Sequence, residues 1–156
     1  MAVSGPRAPA VFIDKDGTLL EDVPYNVQPC RIRFTPGAIG ALRLLDAAGY
    51  RVVIVTNQSG VARGLFGERE LGAVRRHIEE VVRAAGVAPP AFYYCPHHPE
   101  GAVPAYAVGC PCRKPQPGML LAAAAALSLD LRRSWMVGDI LDDVEAGRSA
   151  GCRTVL

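Results

Sequence analysis

Short apolar runs of four to six residues alternate along this chain with longer stretches in which apolar positions recur at helical spacing. The short runs are Ala10–Asp14, Arg51–Thr56, Ala91–Tyr94, Ser134–Val137 and Cys152–Leu156. Between them lie the helical stretches Gly37–Ala48, Glu68–Ala85, Pro117–Leu127 and, approximately, Leu141–Ala150. Strand and helix therefore alternate, which predicts right-handed βαβ crossovers and an α/β fold, a doubly wound, Rossmann-like parallel sheet. Val52-Val53-Ile54-Val55 is apolar at every position, as a central strand covered on both faces requires. Pro36 and Pro117 mark helix starts, and Gly49, Gly86 and Gly151 follow helix ends. With no internal repeat and no linker composition, residues 1–156 are expected to form a single domain.

Composition narrows the class. Half of the 156 residues are apolar, enough for a substantial core and too many for disorder. The formal charge is only +2 and the arginines are spread along the chain, so no basic stripe invites nucleic acid. The longest apolar stretches, such as Met119–Leu127, are too short to cross a bilayer, and Met1–Arg7 lacks the apolar centre of a secretory leader. The expectation is a soluble cytoplasmic protein without membrane partners, monomeric by default.

Candidate chemistry gathers where strands should end, which is where doubly wound sheets bind ligands. The first strand ends in Asp14-Lys15-Asp16-Gly17-Thr18, the second in Thr56-Asn57-Gln58-Ser59-Gly60, and the fourth in Gly138-Asp139 followed by Asp142 and Asp143. Arg113-Lys114-Pro115 follows the third strand. Each segment alone has a plain structural reading as a turn, a solvated loop or a helix cap. Together, in order, they predict a cleft lined by carboxylates, a hydroxyl and an ammonium, which suits metal-assisted phosphoryl chemistry. Only two of the seventeen basic residues are lysines, and both, Lys15 and Lys114, fall inside these segments. A retained lysine suggests a place that needs a compact ammonium.

The five cysteines divide unevenly, with Cys95, Cys110 and Cys112 close together and Cys30 and Cys152 apart. An odd count in a chain read as cytoplasmic argues against a disulfide framework and for a metal cluster. Cys95-x-His97, twelve intervening residues and Cys110-x-Cys112 supply three thiolates and an imidazole, a closed tetrahedral set suited to structural zinc. His98 is an alternative to His97 on spacing alone, and His77 reads as a surface residue of a helix.

On these segments the whole chain resembles the haloacid dehalogenase superfamily of phosphotransferases. Asp14-Lys15-Asp16-Gly17-Thr18 looks like its first motif, Thr56 its second, Lys114 its third, and Gly138-Asp139 with Asp143 its fourth. Thr56 to Gly64, Cys95-Pro96-His97-His98-Pro99-Glu100 and Cys110-Pro111-Cys112-Arg113-Lys114-Pro115 resemble the D-glycero-D-manno-heptose 1,7-bisphosphate phosphatases. The resemblance implies Asp14 as nucleophile, Asp16 as proton shuttle, and Thr56 and Lys114 as grips on the transferring phosphoryl group. It implies Mg²⁺ held by Asp14, the Asp16 main-chain carbonyl and Asp139, with Asp143 behind them. Zinc would sit on Cys95, His97, Cys110 and Cys112, His97 being favoured over His98. Arg113 would recognise the non-reacting phosphate of a small phosphorylated sugar, and Asp22, Tyr25, Asn57, Gln58 and Ser59 would supply its polar partners.

The segments between the strands leave no room for a large cap domain. Three positions depart from the family pattern: Ile140 replaces a polar or basic residue, Lys15 stands where arginine is common, and the chain stops at Leu156 without the usual tail. Histidinol-phosphate phosphatase is the competing enzyme reading, and a non-enzymatic zinc-bearing interaction module the competing class.

Overall fold

The computed structural model describes residues 5–156, so part of the N-terminal segment read above for a leader, residues 1–4, lies outside the described residues. Five strands, β1 Ala10–Ile13, β2 Arg51–Asn57, β3 Ala91–Cys95, β4 Trp135–Val137 and β5 Arg153–Val155, pair in parallel in the order β3-β2-β1-β4-β5. Helices α1 Ala38–Ala47, α2 Glu68–Ala84, α3 Gly118–Leu127 and α4 Leu141–Ala150 make the crossovers. The chain runs outward from β1 through β2 to β3, then returns to the other side of β1 for β4 and β5. That reversal opens a crevice at the carboxyl ends of β1 and β4.

Pleating explains the two cores. Ala10, Phe12, Val53 and Val55 point to one face, where they meet Met119, Leu120 and Ala123 of α3 and Ala146 of α4. Ile54 points to the other and packs with Leu42 of α1 and with Val74, Ile78 and Val82 of α2. The spacing of those three α2 residues, one every four, keeps them on one stripe. Each such aliphatic side chain contributes roughly 1.5–3 kcal/mol by leaving water.

Element boundaries fall within one residue of the sequence expectation, with β2 and β3 each one residue longer, to Asn57 and Cys95. Pro36 and Pro117 stand at the helix starts, just before the first helical residue: α1 begins after Gly37 and α3 after Pro117. Gly49, Gly86 and Gly151 do follow helix ends, each with positive φ. Two short 3₁₀ turns, Pro29–Arg31 and Leu131–Arg133, lack the length to leave a periodic signal. Among the described residues no large cap interrupts the sheet, and no helix is long and apolar enough to cross a membrane.

Candidate active site

Strand β1 delivers Asp14 to the crevice, its amide still donating to the Val137 carbonyl of β4 at 3.0 Å. The chain then turns back at Gly17, whose φ of +88° is left-handed and whose missing side chain leaves room for the Asp139 carboxylate. Gly138 plays the same part for Asp143, since a Cβ there would collide with that side chain. These two glycines let acids from β4 and α4 close on the tip of β1. Carboxylate oxygens of Asp14, Asp139 and Asp143 lie within 4.8 Å of one another.

The buried Lys114 ammonium stands against them. The Lys114 ammonium donates to Asp14 Oδ1 at 2.7 Å, to Asp143 Oδ1 at 2.7 Å and to the Val55 carbonyl at 2.9 Å, using all three of its hydrogens. Burial pushes the Asp14 carboxyl up to about 6; Lys114 opposes the rise and Asp143 adds to it. Asp143, which the sequence left open between a role behind the metal and an exposed acid at a helix start, is fully buried. Its second oxygen accepts from the amides of Asp139 and Ile140 at 3.2 and 3.3 Å, so it caps α4 as well. Asp139 itself is exposed and takes a long 3.4 Å bond from the Thr18 hydroxyl.

Asp16 is held from two sides. Lys15, 2 % exposed, reaches its Oδ1 at 2.5 Å, and Gln58 Nε2 donates to its Oδ2 at 3.0 Å. The same Gln58 nitrogen donates to the buried Thr56 hydroxyl at 2.8 Å, tying the ends of β1 and β2 together. Asp16, Asp22, Tyr25, Asn57, Gln58 and Ser59 all line one cavity of about 240 Å³ beside this arrangement. Tyr25 lines it with a φ of +54°, uncommon for an aromatic residue. Arg113 is not among that cavity's lining residues; it is half-buried, and its Nη1 donates to the His97 carbonyl at 3.4 Å.

Behind Lys114, the side chains of Cys95, His97, Cys110 and Cys112 converge. Their sulfurs are 2.9–3.3 Å apart and His97 Nδ1 lies 3.4 Å from Cys112 Sγ, too far for any disulfide, and all five cysteines are free. His98 is outside the group, its Nδ1 accepting from the Glu100 amide at 3.1 Å, and His77 lies on α2. Three sulfurs and one imidazole nitrogen form a complete soft donor set able to hold a metal ion, with no fifth donor grouped with it among the described residues. The cluster's sulfurs perturb one another: burial raises Cys95 and Cys112, whereas for Cys110 the burial effect is outweighed by hydrogen bonds from Cys112 and Cys95, bringing it down to about 7.

The sequence reading missed a support for this loop. Glu68, the first residue of α2, accepts from the Tyr94 hydroxyl of β3 at 2.6 Å and the Tyr106 hydroxyl at 2.8 Å. Tyr106 packs beside the His97 imidazole, ring centres 6.2 Å apart. Nothing in the one-dimensional spacing of a glutamate and two distant tyrosines announces such a clamp.

The Asp14 and Asp16 carboxylates and the buried Lys114 ammonium gather at the switch point of this sheet, and the chain is a phosphohydrolase of the haloacid dehalogenase superfamily. The HAD-hydrolase-like family model matches residues 111–156. D-glycero-beta-D-manno-heptose-1,7-bisphosphate 7-phosphatase of Rhodopseudomonas palustris is 44 % identical over 151 residues, covering 97 % of this chain and 84 % of its own. The enzyme of that name from Escherichia coli K12 is 42 % identical over 146 residues, covering 94 % and 76 %. The crystal structure of D,D-heptose 1,7-bisphosphate phosphatase from B. bronchiseptica, complexed with magnesium and phosphate, superposes with a TM-score of 0.82 at 35 % identity, covering 94 % of this chain and 78 % of that one. The chain belongs to the D-glycero-beta-D-manno-heptose-1,7-bisphosphate 7-phosphatase family.

Proposed function

We propose that this protein removes the 7-phosphate of D-glycero-D-manno-heptose 1,7-bisphosphate, with Asp14 as nucleophile. The observation that carries the reading is the Lys114 ammonium, 2.7 Å from a buried Asp14 whose neighbours are Asp139 and Asp143. Family membership supports the sugar bisphosphate over histidinol phosphate, and the complete acid, hydroxyl and ammonium set supports an enzyme over an interaction module.

An Asp14 oxygen attacks phosphorus in line, forming an aspartyl-phosphate as the bond to the sugar oxygen breaks. Asp16 gives its proton to that departing oxygen, then takes one from the water that attacks the aspartyl-phosphate and frees Asp14. Lys114 and the Thr56 hydroxyl hold the equatorial phosphoryl oxygens. Losing one such grip is expected to cost on the order of 3 kcal/mol, about 100-fold in rate. Asp14 and Asp139 with the Asp16 main-chain carbonyl offer the hard oxygen donors that suit Mg²⁺, which when bound offsets repulsion between the anionic nucleophile and phosphate.

Zinc on Cys95, His97, Cys110 and Cys112 anchors the irregular segment from which Arg113 and Lys114 project. Arg113 then meets the non-reacting phosphate, while Asp22, Tyr25 and Ser59 face the sugar. Residues 1–156 act as one phosphatase domain, a cytoplasmic monomer.

Phosphate release is the test, assayed with Mg²⁺ on both anomers of the heptose bisphosphate and on histidinol phosphate. Turnover of a heptose bisphosphate, abolished in Asp14→Asn, is the expected result. Faster turnover of histidinol phosphate would overturn the substrate assignment, and unchanged activity of Asp14→Asn would overturn the nucleophile.

A further inference from the structure

Asn57 is the last residue of β2 and is paired with Cys95 at the end of the β2–β3 ladder. The next amide, that of Gln58, donates to the Cys95 carbonyl at 2.8 Å. The Asn57 main chain is thus fixed to the sheet. Its side chain reaches across to Lys114, fifty-seven residues away, and bonds the main chain there twice. Asn57 Oδ1 accepts from the Lys114 amide at 3.0 Å, and Asn57 Nδ2 donates to the Lys114 carbonyl at 3.0 Å. A planar carboxamide here does what a neighbouring strand would do, satisfying one donor and one acceptor of a single residue.

Lys114 needs this because it belongs to no strand or helix; it lies between the cysteine cluster and α3. Its ammonium must nonetheless sit within hydrogen-bond reach of Asp14, Asp143 and Val55 O together. A long flexible side chain keeps such a position only if its root does not drift. The two Asn57 bonds hold that root against the strand that also carries Val55 and Thr56. Gln58 has a different target, since its amide serves Asp16 and Thr56.

We infer that Asn57 is a positioning residue that acts on phosphoryl transfer through Lys114 rather than by holding the sugar. The inference rests on the phosphatase reading above and departs from the sequence expectation that Asn57 is a substrate ligand. An ångström of drift at a catalytic group can lower turnover about 100-fold, which sets the scale of the effect.

The test is a double-mutant cycle over Asn57→Ala and Lys114→Met, run with Mg²⁺ on the heptose bisphosphate and on p-nitrophenyl phosphate, which has no sugar. Asn57→Ala alone is expected to lower kcat by roughly 30–100-fold on both substrates with KM changed less than about threefold. In the Lys114→Met background it should add less than about twofold. Asn57→Asp, which keeps the acceptor but not the donor, should fall between wild type and Asn57→Ala, and it carries the same comparison if the alanine variant melts below the assay temperature. A raised KM for the heptose bisphosphate with kcat and aryl phosphate turnover intact would make Asn57 a sugar ligand and overturn the inference. So would an undiminished loss in the Lys114→Met background. Wild-type turnover of the aryl phosphate without turnover of the heptose bisphosphate would sink the substrate assignment alone, leaving the cycle readable on the aryl ester.

Discussion

Asp143 accepts a hydrogen bond from the Lys114 ammonium at 2.7 Å, and the two side chains are only 1 % and 2 % exposed. The pair ties the start of α4 to the segment before α3, and Asp143 turns its other oxygen to the amides of Asp139 and Ile140. Removing Asp143 takes away one of the two carboxylates that compensate the buried Lys114 ammonium and also orphans the helix cap. Asp143→Ala is therefore expected to lower unfolding free energy by about 3 kcal/mol and to reduce kcat, because Lys114 keeps only Asp14 and Val55 O. Asp143→Asn, which keeps an acceptor for the amides, should be milder. Urea melts of the three proteins decide this; a loss below about 1 kcal/mol in Asp143→Ala would show that the pair is dispensable.

Gly17→Ala tests whether the turn exists to admit Asp139. The left-handed φ alone costs a non-glycine residue about 1–2 kcal/mol. The added Cβ would also collide with the Asp139 carboxylate, so that acid must move away from Asp14. A Mg²⁺ titration of activity should show a half-saturating concentration raised by tenfold or more on the order-of-magnitude scale of a disturbed metal site. Loss of thermal stability with unchanged Mg²⁺ dependence would mean that the glycine serves the backbone only.

Much of this arrangement is legible in the amino-acid sequence. The strand tips carry their chemistry in short continuous strings, so Asp14, Thr56 and Asp139 are placed by strand order, and Lys114 by its Arg-Lys-Pro string in the segment after the third strand. The Cys3His set was legible because metal ligands come in paired short spacings, although spacing could not choose His97 over His98. Side-chain direction was the illegible part. Asn57 reads as a polar turn residue facing a ligand, yet its carboxamide turns to the Lys114 main chain. Asp143 looks like any acid in a first helical turn, where the macrodipole favours one, and only tertiary packing shows it to be buried. Arg113 donates to the His97 carbonyl at 3.4 Å, a contact that spacing does not announce. Pairings that join residues dozens of positions apart leave no periodic trace.

The Cys3His loop and Lys114 are covalent neighbours, since Arg113 and Lys114 directly follow Cys112. Replacing Cys112 with serine, or stripping the cluster with a thiol-reactive agent and chelator, is expected to release one equivalent of zinc and to lower kcat roughly tenfold or more through misplacement of Lys114. The sheet should stay folded: Cys95, Cys110 and Cys112 pack into one core, but the rest of that core, from Ala10, Phe12 and Val53 to Met136, and the whole of the other around Ile54 are built without the loop. Metal analysis, circular dichroism and turnover in saturating Mg²⁺ are the measurements. Normal turnover of zinc-free protein would separate the cluster from catalysis.

Glu68 offers a pH-dependent test of how that loop is held from outside. The hydroxyls of Tyr94 and Tyr106 both donate to its carboxylate, which holds Glu68 below its ordinary value of 4.5, while burial, followed by the same carboxylate, pushes Tyr94 up to about 12. A carboxyl whose pKa is lower folded than unfolded binds its proton less readily in the native state. Its stabilising effect is therefore present above the unfolded pKa and fades as pH falls through the folded one. Glu68 is exposed, so solvent screens the contribution to about 1 kcal/mol at neutral pH. Thermal melts of wild type and Glu68→Gln between pH 3 and 7 should differ most at the neutral end and converge at the acid end. The double variant Tyr94→Phe, Tyr106→Phe should remove the same difference without altering any charge at neutral pH. A gap between wild type and Glu68→Gln that stays constant across that range would mean that the carboxylate is not what the two tyrosines recognise.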